Sequence, residues 1–283
     1  MTAGDDPRDP AATAAIERLL RGGDCRSALH LAETHSTNTV ALAEVGRADI
    51  GPGQLPRLYV ADRQTAGRGR RGRRWLSDEG TLTFSLAVTL PPMAADRWGL
   101  LSLAAGIGVA TAIEFDFAPL RPRLKWPNDV YLGGRKVAGI LCETHQASPG
   151  VAVVGVGINV AAAPDLAESS GAVPATCLAA VVGRPLGRYQ ILEGVVSGVL
   201  RFLRGIPEST PALVDAFRDR CWLTGREVAA TIGQAPVRGR CLGITPDGHL
   251  LIATESGTVT CRSGDVSLVR SAAGTDGRPA AER

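Results

Sequence analysis

Strand-like and helix-like stretches are mixed along this 283-residue chain as far as Arg220, without the strict alternation that a doubly wound parallel sheet requires. AATAAIERLLR reads as a helix behind a polar leader, and ETHSTNTVALAEV turns helical again. RLYVAD then reads as a short strand and TLTFSLAVTL as a longer one rich in β-branched residues. A helix is predicted around Leu100 to Ile113, a Pro-bounded turn at WPND, strands at Lys136 to Cys142 and Val151 to Val156, and helices near Arg188 to Arg204 and Pro211 to Arg220. After Trp222 the pattern changes. REVAATI, VRGRCLGI, HLLIAT, TVTCR and DVSLV are short strands separated by turn signals at TPDGH and ESG, which predicts a small β-barrel. The fold class is therefore α+β, a mixed sheet with helices on it followed by a barrel. The expected divisions are a leader with one helix at 1–29, a main domain at 30–220, the barrel at 221–271 and a disordered polar tail at 272–283.

Charge narrows the function. Lysine plus arginine number 31 against 28 acidic residues, a formal charge of +3, so a protein that coats a polyanion along a whole face is not indicated. The six cysteines are scattered and none forms CxxC, while MTAGDDPRDP is too acidic for a signal peptide, so free thiols in a reducing cytoplasm are expected. Trp98 to Ile113 carries no charge, but three glycines, a serine and a threonine interrupt it, and it falls short of the ~20 apolar residues of a membrane span. A buried core helix is the better reading.

QTAGRGRRGRRW, residues 64 to 75, concentrates the basic charge. Five arginines and three glycines fill the positions from Gly67 to Trp75, without an acidic residue. Glycine lets main chain approach a ligand, and arginine supplies bidentate bonds to phosphate or carboxylate. Ordering these flexible residues costs about 1–2 kcal/mol each, while a charged hydrogen bond returns about 1.5–3 kcal/mol. A single carboxylate would barely close such a loop, whereas a larger ligand carrying a carboxyl-phosphate group would, so the loop is expected to be mobile when empty. Of all the basic residues only Lys125 and Lys136 are lysines, and both fall within RLKWPNDVYLGGRKVAGIL. In a chain so biased to arginine, a retained lysine suggests a need for its compact point charge.

Other chemistries are excluded or weak. Neither lysine precedes Ser or Thr, so there is no Walker phosphate loop, and no G-x-S-x-G or H-E-x-x-H occurs. GVGIN offers a lone G-x-G, too little for a dinucleotide fold, and the Cys142/His145 spacing lacks the second close pair that a zinc site needs. A nucleic-acid binder using the arginine segment would want stacking aromatics or repeated copies; there is one copy, with Trp75 at its edge.

HSTN at 35–38, QTAGRGRRGRRW, KWPNDV with RKVAGIL, and VGVGINV stand in the order and at the kind of spacing found in biotin protein ligases. The resemblance runs from about residue 30 to 270 and is carried chiefly by the arginine loop followed by KWPND and RKVAGIL. It implies a catalytic fold shared with lipoate ligases and similar to class II aminoacyl-tRNA synthetases, with an SH3-like C-terminal barrel. It also implies ATP and biotin as substrates, Mg2+ with ligands left open, biotinyl-AMP as intermediate, and a lysine of a biotin carboxyl carrier domain of acyl-CoA carboxylases as acceptor.

Carried onto this chain, the resemblance places Ser36, Thr37, Asn38 and Gln64 on the biotin ring system and Gly67, Arg68, Gly69 and Arg70 around its chain and the adenylate phosphate, with Trp75 ordering the loop. Lys136 would meet carboxylate and α-phosphate, and Gly139 would allow close approach. Asn128 and Asp129 would lie near ATP, with Asp129 orienting or deprotonating the acceptor lysine; for both, a plain Asx turn is the alternative. Lys125 would steady that carboxylate or the phosphates, and Asn159 would touch phosphates or ribose. Lys136, Arg70 and Asp129 are the expected catalytic set. The leader is too short for the winged-helix DNA-binding domain that some members carry, so no operator binding is expected, and the chain is expected to be a monomer or weak homodimer without nucleic-acid or membrane partners. A lipoate or octanoate ligase on the same core is the nearest alternative.

Overall fold

In a computed structural model of the protein, residues 9–90, 93, 97–165, 174–206, 209–232 and 235–269 are described. The tail at 272–283 lies outside them. Two sheets organise the chain. The larger has seven strands in the order β1-β2-β3-β7-β6-β5-β4: β1 (Ser27–Thr34), β2 (Arg57–Gln64), β3 (Thr81–Thr89), β4 (Arg123–Lys125), β5 (Asp129–Leu132), β6 (Arg135–His145) and β7 (Ser148–Asn159). Only β1 and β2 run parallel; every other neighbouring pair is antiparallel. The smaller sheet is antiparallel, in the order β11-β10-β9-β8-β12: β8 (Glu227–Ile232), β9 (Ala235–Ile244), β10 (Leu250–Thr254), β11 (Gly257–Cys261) and β12 (Val266–Leu268). All five strands expected after Trp222 are present.

The period-2 alternation of β3 and β7 divides the large sheet into two unlike faces. Leu82, Phe84 and Leu86 of β3, with Val154, Val156 and Ile158 of β7, join one core cluster with α1 (Pro10–Arg21), α3 (Gly99–Asp116) and α5 (Leu192–Arg204). On the opposite face the intervening positions are small or polar: Thr83 pairs with Gly157, Ser85 with Gly155, and Gly157 in turn with Gly139. There α2 (Thr37–Gly46) covers only part of the sheet, packing Ala41 and Val45 on Tyr59, Ala87 and Val153. The uncovered remainder is the floor of a cavity.

Helix α3 is the core helix expected from its charge-free sequence. It is long and apolar enough to cross a membrane by composition, yet twelve of its residues are buried here against sheet and helices. Its approach to α5 depends on glycine, since a Cβ at Gly108 would come within 2.6 Å of Val199 Cα, and one at Gly198 within 2.7 Å of Gly108 O.

Several elements differ from expectation. The strand β1 was not anticipated: it lies at the sheet edge and buries only His30, so its hydrophobic alternation is faint. As a result α2 starts at Thr37 and not at Glu33, with Ser36 extended at its N-cap. The WPND turn joins two short strands, β4 and β5, which pair Lys125 with Asp129. The helix expected from Arg188 opens as a tight 3-10 turn, Arg188–Ile191, before α5 begins, and the short α4 (Leu178–Val182) was not foreseen. The last helix, α6 (Thr210–Arg220), leads into the smaller sheet. Trp126 Nε1 donates to Gly248 O at 2.9 Å and Trp222 stacks on Tyr131 at 4.6 Å, so the smaller sheet is seated against β4, β5 and the start of α3. All six cysteines are free thiols.

Candidate active site

The cavity is bounded by the glycine-lined floor, the N-terminus of α2, the end of β2, the WPND turn, the start of β6 and the arginine loop. It gathers Ser36, Thr37, Asn38, Gln64, Arg68, Gly69, Arg70, Trp75, Asn128, Asp129, Lys136 and Gly139 from five separate stretches of sequence.

The polar end is built from side chains that satisfy one another. Gln64 Oε1 accepts from the backbone N–H of Thr37 at 2.8 Å and lies 3.2 Å from the Thr37 hydroxyl. Ser85 Oγ lies 2.7 Å from Thr37 Oγ1 and 2.6 Å from Asn38 Oδ1. An amide oxygen can only accept, so the single Ser85 proton goes to Asn38 and the Thr37 hydroxyl donates to Ser85 Oγ. Asn38 Nδ2 spends both its hydrogens, on Leu141 O at 3.1 Å and on Glu143 Oε2 at 2.9 Å. Asn38 is thereby committed to holding the site together. Ser36 Oγ and the amide nitrogen of Gln64 have no hydrogen bond among the described residues; they are the uncommitted polar groups at this end of the cavity.

The loop between β2 and β3 folds back on itself. Gly69 N–H donates to Arg73 O at 2.7 Å, Trp75 N–H donates to Gly67 O at 2.9 Å, and Arg68 pairs with Arg74. At the tip Arg71 and Gly72 take positive φ (54° and 73°), a turn that glycine makes without strain. A Cβ at Gly67 would overlap the carbonyl of Trp75, so this glycine closes the base of the loop. Gly67 lines the shallow outer side of the loop and not the cavity. Arg70 reaches inward, its guanidinium 3.5 Å from Asn128 Oδ1 and 3.4 Å from Gly264 O, and burial lowers its pKa from the usual arginine value. Arg73 forms an ion pair with Asp265 at 2.5 Å.

The Trp75 indole lies on the floor, where a Cβ at Gly157 would collide with it and one at Gly139 would come within 3.3 Å. Lys136 Nζ stands 5.7 Å from the Trp75 ring centroid and 2.6 Å from Asp129 Oδ1. Asn128 is more than a turn residue: its amide donates to Ile140 O at 2.8 Å, and its own carbonyl accepts from Ile140 N–H at 2.9 Å.

Besides Gly67, two expected site residues lie outside the cavity lining. Lys125 is largely buried behind Asp129, its Nζ 5.8 Å from the Tyr131 ring, and desolvation lowers its pKa while Asp129 raises it. Asn159 turns its amide to Thr176 O at 3.0 Å, at the end of β7. Thr83, Ser85, Glu143, Gly155 and Gly157 belong to the site or its immediate frame and were not singled out from sequence. The signal existed in the alternation of TLTFSLAV and VVGVGIN, which places Thr83, Ser85, Gly155 and Gly157 on one face. No cluster of three His, Cys, Asp or Glu side chains that could hold a metal occurs among the described residues. The thiol of Cys142, in the CETH segment, is pushed up to about 12 by burial.

Residues 32–159 match the biotin/lipoate A/B protein ligase family, and residues 223–269 match the biotin protein ligase C-terminal domain. A biotin–[acetyl-CoA-carboxylase] ligase of Paracoccus denitrificans is 34% identical over 233 residues, covering 80% of this chain and 94% of that protein. The chain belongs to the biotin protein ligases. A second ligase of the same name, from Mycobacterium tuberculosis, is 33% identical over 90% of this chain and 96% of its own length. Among solved structures, a biotin protein ligase from Aquifex aeolicus in complex with biotin and ATP superposes with a TM-score of 0.72 at 31% identity, covering 87% of this chain and 100% of that one. The mixed sheet and the SH3-like C-terminal sheet are therefore those of the biotin ligase fold.

Proposed function

We propose that this biotin protein ligase joins biotin to ATP, releasing pyrophosphate and forming biotinyl-AMP, and then transfers the biotinyl group to a lysine ε-amine of a biotin carboxyl carrier domain, releasing AMP. The observation that carries the reading is the meeting of Arg68, Arg70 and Lys136 in one cavity with uncommitted Ser36 and Gln64 groups. In the first step a carboxylate oxygen attacks the α-phosphorus, bringing two anions together. Fixed cations at that point lower the barrier by about 3 kcal/mol per group. Ser36 and the Gln64 amide offer the mix of acceptor and donor that a ureido group needs. Catalysis is assigned to residues 30–220, while 221–271 support the loop through Gly264 and Asp265.

In the resting pocket Lys136 is held by Asp129, so the ligand's own anions must displace that carboxylate. Once Lys136 turns to the phosphate, Asp129 is left as the acceptor for the proton of the incoming lysine amine. Trp75 and the arginine loop close over the mixed anhydride and keep water from it. Mg2+ fits as an ion carried by ATP: one carboxylate and the phosphates suffice for a cation that keeps several waters, and the cavity offers one, Asp129.

The decisive experiment measures pyrophosphate release with ATP and Mg2+ in the presence of biotin or of lipoate, followed by the mass of an added carrier domain. Release with biotin alone, and a carrier heavier by one biotinyl group, is expected. Release with lipoate alone would assign the chain to the other branch of the fold.

A further inference from the structure

Glu143 stands between the floor of the cavity and the loop above it, near the C-terminal end of β6. One carboxylate oxygen accepts from Asn38 Nδ2 at 2.9 Å, and the other forms an ion pair with the guanidinium of Arg68. Asn38 is 3% exposed, and its remaining polar contacts go to Ser85 and Leu141. A continuous relay therefore runs Gln64–Thr37–Ser85–Asn38–Glu143–Arg68, from the polar end of the cavity to the first arginine of the loop. Arg68 is also the residue whose backbone pairs with Arg74, so holding its side chain holds the base of the loop. Gly155 makes room for the relay, because a Cβ there would overlap Asn38 Oδ1.

We propose that Glu143 is a positioning residue that couples the biotin end of the cavity to closure of the arginine loop. Its two oxygens have separable duties. The first fixes the Asn38 amide, and through it the order of donors along the relay that ends at Gln64. The second keeps Arg68 over the cavity. The proposal rests on the ligase reading above.

The two duties part in a pair of variants. In Glu143→Gln the amide oxygen still accepts from Asn38, while the NH2 group meets Arg68 and cannot pair with it. The expected result is a biotin KM within about threefold of the parent, near the scatter expected for a single neutral hydrogen bond, together with faster escape of biotinyl-AMP, read as labelling of a bystander protein per pyrophosphate released. Glu143→Ala removes both contacts, and a rise in biotin KM of about tenfold or more is expected in addition. Limited trypsin digestion of the ligand-free proteins provides a measurement independent of activity: cleavage after Arg70 or Arg71 should be faster in both variants. A Glu143→Gln protein with parental trypsin resistance of the loop and parental adenylate retention overturns the proposal. So does an equal rise in biotin KM in both variants, which would mark Glu143 as a plain structural brace. Absence of biotin-dependent pyrophosphate release from the parent protein would instead overturn the ligase reading, and the trypsin comparison would still decide the role of Glu143.

Discussion

Carboxylates already neutralise two of the cations that line the cavity. Lys136 is held at 2.6 Å by Asp129, whose side chain is mostly buried, so removing the ammonium strips the phosphate of its point charge and leaves Asp129 unpaired in a sheltered place. Lys136→Ala should lower the rate of biotin-dependent pyrophosphate release by about 10²–10³-fold, the usual cost of losing one fixed charge-stabilising group. Full release would show that this lysine serves elsewhere. Arg70→Gly should loosen the loop and let adenylate label bystander lysines, a change seen by mass spectrometry of an added inert protein. Gly157 makes a sharper demand, since even a methyl group there meets the Trp75 indole against an inflexible strand. Gly157→Ala should expel the indole, seen as a red-shifted tryptophan emission, and raise the KM for biotin. At this scale the arginine loop, KWPND and RKVAGIL were readable because unusual residues cluster in them. Ser85 and Glu143 were not, because a serine or a glutamate in a strand looks ordinary until a partner from a distant segment is set beside it.

Elements are held by contacts that single residues do not reveal. The α3–α5 crossing depends on Gly108 and Gly198, which bring the helix backbones together. Gly108→Ala gains helix propensity of about 1 kcal/mol, but forces a Cβ onto Val199 backbone, and overpacking of this kind costs about 1–3 kcal/mol. A lower melting temperature is expected; an unchanged or higher one would mean that the helices separate freely. A second cluster ties the N-terminal helix to the sheet. Asp62 of β2 accepts from Tyr189 Oη and lies 2.9 Å from His30 Nε2, and its backbone carbonyl accepts from Arg188 at 2.6 Å. Arg188 also lies 3.9 Å from Asp9, the N-cap of α1. Burial raises the Asp62 pKa, but the bonds from Tyr189 and His30 outweigh it and leave the value below the ordinary one. The folded state thus prefers the charged carboxylate. Its stabilisation is complete above the unfolded pKa and is lost as pH falls toward the lowered folded value. Asp62→Asn should therefore flatten the acid limb of the stability–pH curve while lowering stability at neutral pH. An unaltered acid limb in chemical denaturation would remove Asp62 from that account.

The described residues of the two sheets pack as one body. Residues of both belong to a single hydrophobic cluster, including Leu100 and Leu124 from one side and Val228 and Leu250 from the other, and the buried Trp126–Gly248 bond crosses between them. One cooperative unfolding transition is expected by calorimetry. Trp126→Phe strands the Gly248 carbonyl at a cost of about 1–3 kcal/mol and should move the entire transition downward. Two resolved transitions in the parent would show that the sheets unfold independently. Sequence by itself determined the element types with strong periodicity, the five late strands and the positions rich in arginine, glycine and lysine, since these depend on local pattern and composition. Tertiary structure decided the edge strand β1, the short hairpin at WPND, the glycine floor and the relay through Glu143. Each of these acquires meaning only when strands far apart in sequence pair in one register, because that register selects which alternate side chains share a face.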